Sequence, residues 1–73
     1  MNQEFNRGDR VEDVSGYYGT GTVRYLNGDL MPDGSGRHYD WPNQVCVEFD
    51  REIQGEKPCM WCEYKRLRKV EVQ

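Results

Sequence analysis

Cys59 and Cys62 stand three positions apart in the stretch KPCMWCEYKRL, Lys57–Leu67, with Met60 and Trp61 between them. Two thiols at this spacing can do one of three things. In a tight turn they chelate zinc, which needs four ligands, usually cysteine or histidine. At the start of a helix in a βαβ unit they form a redox pair. On a strand they are small, half-buried residues with no joint chemistry. The chain offers only Cys46 and the single histidine to complete a zinc set, so the candidate ligands are His38, Cys46, Cys59 and Cys62. Residues 59 and 62 of an extended strand point to opposite faces, however. No helical pattern surrounds them either. The strand reading fits best, and neither a metal nor another cofactor is expected.

Aromatic residues form the second group of candidates. Tyr17 and Tyr18 lie side by side in SGYYGTG, and Trp61 sits between the two cysteines. Together they could build a wall that binds cations through its π faces, or an extended protein segment. The plainer alternative is that one tyrosine plugs an end of the core. The segment Asn27–Asn43, NGDLMPDGSGRHYDWPN, is long for a connection in so small a domain. It carries apolar and aromatic residues that a merely solvated loop would not need. Within it Trp41 is expected to pack, and Arg37, His38 and Tyr39 to make contacts. The third group is basic: Arg24, Lys65, Arg66, Arg68 and Lys69 could grip phosphates. Glu48, Asp50, Glu63 and Glu71 lie nearby in sequence, so a solvated face of mixed charge is the simpler account. No serine or cysteine has a base and an orienting group placed for nucleophilic catalysis, and no catalytic residue is assigned.

The elements that would position these residues are short strands. No long segment keeps apolar residues at helical spacing. A first strand is expected near Asp9–Val14, with Val11 and Val14 as its apolar residues, and a second over Thr20–Asn27. The third, QVCVEFD, is the clearest: Val45, Val47 and Phe49 alternate with Cys46, Glu48 and Asp50. A turn about Gln54–Gly55 leads to a fourth strand, Cys59–Tyr64. One tight helical turn at KRL precedes a short last strand, RKVEV. Two registers are open for the fourth strand, and a one-residue slip exchanges its faces. The preferred one puts Met60, Cys62 and Tyr64 in the core with Val45, Val47 and Phe49, and leaves Trp61 exposed on the face of Cys46.

Five short strands in 73 residues predict an all-β domain, a five-stranded antiparallel barrel over residues 1–73 with the long loop at about 27–43. The stretches GDRVEDVSGYYGTGTVRYL, VCVEFD and EYKRLRKV resemble the SH3-like barrel of KOW and Tudor-like modules. That resemblance implies a binding fold whose ligands range over peptides, nucleic acids and other subunits. The Gly-Asp-Arg-Val opening is also similar to the plasmid-encoded type II dihydrofolate reductases. Those enzymes build a shared pore from a Val-Gln-Ile-Tyr strand, where this chain reads MWCEY, so their activity is not implied.

Composition narrows the function further. Ten basic and thirteen acidic residues leave a formal charge of -3, which argues against a chain that blankets nucleic acid. Mean hydropathy is -1.03. No apolar run is long enough for a membrane span or a signal peptide. The expected location is therefore the cytoplasm, where three cysteines stay reduced. The expectation is a non-enzymatic binding module that takes a protein segment, a partner subunit or a second copy through Tyr17, Tyr18, Arg37, His38, Tyr39 and Trp61. A nucleic-acid module using the basic cluster comes second. An oligomeric enzyme with a shared central site comes third.

Overall fold

The computed structural model describes residues 5–70. They form one antiparallel sheet of five strands: β1 Arg10–Asp13, β2 Thr20–Leu26, β3 Gln44–Phe49, β4 Cys59–Glu63 and β5 Leu67–Lys69. A 3-10 turn, Tyr64–Arg66, links β4 to β5. The spatial order is β4-β3-β2-β1-β5. The expected all-β class, strand count and late helical turn are therefore present. Residues 71 and 72 of the expected last strand lie outside the described residues. Among the described residues no helix is long and apolar enough to cross a membrane.

The inner face follows from the period-2 pattern. Val11, Val23, Val45, Val47, Phe49 and Leu67 are buried together with Phe5, and Met60, Cys62, Tyr64, Tyr18 and Leu26 pack around them. β4 takes the preferred register, with Val47 opposite Met60 and Val45 opposite Cys62. Val14 does not join this face and is 55% exposed. It lies three residues from Val11, and an odd spacing puts two strand residues on opposite sides. The inward position belongs instead to Asp13, which is buried at the end of β1.

β2 carries one irregularity with wide effects. Val23 pairs with Val47 and Tyr25 with Cys46, so Arg24 is an extra residue in the ladder. Such a bulge bends the strand and shifts the alternation of its side chains. Val23 points inward, Tyr25 sits opposite Cys46 on the outer face, and Leu26 turns inward opposite Val45. Without the extra residue Tyr25 would share a face with Val23.

Gly21, in the same strand, sits where β2 crosses β3 most closely. A Cβ there would lie 2.6 Å from the Glu48 carbonyl oxygen and 2.7 Å from a Val47 methyl. The carbonyl is backbone and cannot swing away. Gly21→Ala is therefore expected to destabilise the domain by about 1–3 kcal/mol through forced backbone movement. Val47→Ala should cost a similar ~1–3 kcal/mol by lost apolar burial and a cavity. Urea melts of both variants measure this. A Gly21→Ala protein as stable as wild type would contradict the close crossing.

Candidate functional site

The segment Asn27–Asn43 is a laced hairpin rather than an open loop. Leu30 bridges to His38, the Met31 N–H donates to the Arg37 carbonyl at 2.9 Å, and the Tyr39 N–H to the Asp29 carbonyl at 2.9 Å. Asp29 holds its start: it accepts from the Leu26 N–H at 2.7 Å and pairs with Arg7 at 3.0 Å. His38 Nδ1 lies 2.9 Å from the Gly28 carbonyl, and a carbonyl only accepts, so this nitrogen carries the proton. His38 thus braces the hairpin. Arg37 is exposed near its tip.

The base of the hairpin lays aromatic rings over the outer face of the sheet. Tyr39 packs between Tyr25 at 5.4 Å and Trp61 at 4.9 Å, measured between ring centroids. Trp41 stacks on Trp61 at 6.1 Å while remaining 47% exposed. The Trp41 N–H is fixed to the Asn27 side chain at 2.8 Å. Trp61 is on the predicted face, opposite Cys46, but these rings half-bury it. The expectation of an exposed Trp61 is corrected accordingly. Beneath the rings Cys46 is only 6% exposed.

Tyr17 and Tyr18 form a different group on the inner side. Tyr18 stacks on Phe49 at 5.1 Å, and Tyr17 meets Tyr18 edge-on at 4.7 Å. Tyr17 is 61% exposed, and the Arg51 guanidinium donates to its carbonyl at 2.8 Å and lies over its ring. The turn that presents both tyrosines is organised by Asp13. Its carboxylate accepts from the Ser15 hydroxyl at 2.6 Å, the Ser15 N–H at 3.2 Å and the Tyr18 N–H at 3.3 Å. The Ser15 hydroxyl does most to hold this carboxyl below its ordinary range; burial opposes it, and the two N–H groups and Arg66 help.

A cleft of about 280 Å³ opens between the two aromatic groups. Tyr18, Phe49, Met60, Trp61 and Leu67 line it, and Asp13, Gln44, Cys62, Glu63 and Arg66 complete its wall. Of the expected contact residues, Tyr18 and Trp61 meet here. Tyr17 stands behind Tyr18, and Tyr39 behind Trp61. Arg37 and His38 do not line the cleft.

β4 runs along this cleft as an edge of the sheet. Antiparallel pairs alternate between bonded and non-bonded positions. The Phe49 N–H donates to the Pro58 carbonyl at 2.8 Å and the Tyr64 N–H to the Asn43 carbonyl at 3.0 Å. In that alternation Met60 and Cys62 bond to β3, and the backbone N–H and C=O groups of Cys59, Trp61 and Glu63 face away from it.

The basic cluster is largely neutralised. Lys65 lies 3.7 Å from Glu63, Lys69 is 3.5 Å from Asp9, and the Arg68 guanidinium pairs with Glu12. Arg24 projects from the bulge on another part of the surface, and Arg66 faces the cleft.

The candidate zinc set is not assembled. Among the described residues no three His, Cys, Asp or Glu side chains are placed to hold a metal ion. Cys59 and Cys62 lie on opposite faces, as an extended strand requires. The thiol that does meet Cys59 is Cys46, with its sulfur 3.2 Å away. Burial is the first cause that pushes Cys46 up to about 12, followed by its hydrogen bond with Cys59. Burial likewise raises Cys62 to about 11.

Comparison with protein-family models, with curated proteins and with solved structures finds no match for this chain. The site therefore rests on geometry. Sequence reasoning missed the Cys46–Cys59 pair, although the hairpin register contains it: Glu48 opposite Cys59 makes Cys46 a diagonal neighbour on the same face. It also missed the inward Asp13, for which the only signal was the spacing from Val11.

Two expectations follow. Trp61→Ala should weaken the fold by about 1–3 kcal/mol, because it removes a half-buried ring packed on Tyr39 and Trp41; a thermal melt checks this, and an unchanged Tm would mean the rings do not pack. Asp13→Ala should cost about 1–3 kcal/mol by leaving the turn donors without their acceptor. Because folding lowers the pKa of Asp13, its contribution is fully present above the ordinary value of about 3.9 and is lost as pH falls through the lower folded value. Acid unfolding of wild type should therefore show a step below about pH 4 that Asp13→Ala lacks.

Proposed function

We propose that this chain is an SH3-like barrel that binds an extended protein segment, laid along the β4 edge with one or more side chains in the adjoining cleft. The observation that carries the proposal is the open edge of β4. Its outward backbone groups at Cys59, Trp61 and Glu63 offer donors and acceptors in a row beside a cleft of mixed polar and apolar lining. An added strand satisfies such groups through its main chain and gains specificity from alternate side chains. The inward-facing side chains of that strand would meet Met60 and Cys62, between Tyr18 and Leu67. Glu63 and Arg66 add one charge of each sign to the cleft wall, which suits the polar side chains of a peptide. The barrel reading is supported by the strand order, by the bend at Arg24, and by the pairing of β1 with both β2 and β5. Three of the five candidate phosphate-binding cations are paired with carboxylates, which favours a protein ligand over a nucleic acid. A reducing cytoplasmic setting fits the free thiols.

Glu63→Pro is the decisive variant. The φ of Glu63 is -64°, which is proline's own value, and the residue before it is already extended. The change removes one outward N–H without breaking the ladder to β3. Peptides selected from a random display library against the wild-type domain should bind Glu63→Pro about 3–10-fold more weakly, the worth of one hydrogen bond. The Tm should stay close to wild type. The amide signals of Cys59, Trp61 and Glu63 should move on peptide addition to wild type. Peptide binding untouched by Glu63→Pro would overturn the edge reading. Tight oligonucleotide binding at physiological salt that Arg66→Ala abolishes would put the nucleic-acid reading in its place.

A further inference from the structure

Cys46 and Cys59 belong to neighbouring strands, thirteen positions apart, yet their sulfurs are 3.2 Å from each other. They are diagonal neighbours on the outer face, since Cys46 stands opposite Trp61 and Cys59 opposite Glu48. A disulfide needs sulfurs at about 2.05 Å, so closing the bond brings the two sulfurs about 1 Å nearer to each other. The two thiols are unequal in access. Cys59 is exposed, while Cys46 is 6% exposed beneath the aromatic cover. That inequality is the arrangement of an attacking thiol with a resolving partner. The third thiol, Cys62, faces the core side and is held apart from both.

We propose that Cys46 and Cys59 form a reversible dithiol–disulfide site, with Cys59 reacting first and Cys46 resolving, and that its co-reactant is a small-molecule disulfide of the glutathione class. The chemistry balances in two exchanges. The Cys59 thiolate attacks one sulfur of the small disulfide, making a mixed disulfide and releasing one small thiol. Cys46 then gives up its proton to solvent and attacks the Cys59 sulfur. The Cys46–Cys59 bond forms, the mixed disulfide breaks, and the second small thiolate leaves and takes a proton. Two protein thiols are oxidised, and one small disulfide is reduced to two small thiols. Burial, which pushes Cys46 up to about 12, makes the second exchange the slow one, because little thiolate is present near neutral pH. The mixed disulfide on Cys59 should accordingly accumulate before it resolves. The finished bond ties the first residue of β4 to β3 and closes the β3–β4 connection into a loop. This site shares Cys59 with the proposed peptide-binding edge but does not rest on that reading, since its geometry and its test involve only the thiols.

The test uses the full chain, reduced and then exposed to oxidised glutathione at about pH 8, near the ordinary thiol pKa. Remaining thiols are alkylated and the peptides mapped by mass spectrometry. The expected result is a transient glutathione adduct on Cys59, then loss of the adduct with a Cys46–Cys59 bond and a free Cys62. The oxidised protein should melt about 10 °C higher than the reduced one, because a loop of this length is constrained in the unfolded chain. Dithiothreitol should reverse both changes. Cys46→Ser should stop at the Cys59 adduct. Should that variant fold poorly, Cys59→Ser alters an exposed position and should leave Cys46 unmodified by glutathione. A bond involving Cys62, a covalent dimer through Cys59, or a wild-type Cys59 adduct that never resolves would each overturn the proposal.

Discussion

β3 is buried along its inner face and, at Cys46, on its outer face as well, so it needs cover from two directions. Inside, Val45, Val47 and Phe49 meet the valines of β1 and β2 and the half-buried side chains of β4. Outside, Cys46 is covered by rings that β3 cannot supply itself. The extra residue at Arg24 is what makes the second cover feasible. By shifting the alternation of β2 it turns Tyr25 outward against Cys46 and sends Leu26 inward. Tyr25 then gives Tyr39 a surface to pack on, Tyr39 positions Trp61, and Trp61 receives Trp41. A chain this short has little core to spend. The outer layer is a second apolar cluster, built by the hairpin rather than by the sheet.

This dependence explains which parts of the fold were legible in the sequence. The alternation of Val45, Val47 and Phe49 identifies the inner face of β3, and a turn about Gln54–Gly55 then indicates which face of β4 turns inward. Both are local patterns with period 2. The adjacent apolar pair Tyr25–Leu26 breaks that period and is the trace of the bulge, but a broken period alone does not say which residue is extra. The half-burial of Trp61 was out of reach because it depends on a hairpin whose contacts lie far along the chain. Hydrogen bonds at Asn27, Asp29 and His38 and the packing of Tyr39 and Trp41 fix that hairpin's course, and they are not written as a repeating pattern.

The same reasoning separates the cysteines. C-x-x-C is conspicuous because its members are close in sequence, yet on a strand that spacing guarantees opposite faces. Cys46 and Cys59 are inconspicuous in sequence and adjacent in space, because a hairpin register converts thirteen positions into one diagonal step. Chemistry between side chains on a sheet is therefore read from pairing, not from proximity along the chain.

The two edges of the sheet also differ in a way that bears on function. An unpaired edge invites unwanted strand addition, and proteins blunt it with short strands, charges or proline. β5 follows that rule: it has three residues, two of them the cations Arg68 and Lys69. β4 does not. Its five residues include Met60, Trp61 and Cys62, its only charge is Glu63 at the far end, and its backbone groups run beside the cleft. An edge that is both apolar and unblunted is a liability unless something is meant to cover it. The contrast with β5 in the same small sheet supports placing the proposed partner segment at the β4 edge rather than at the exposed Tyr17 or the charged C-terminal strand.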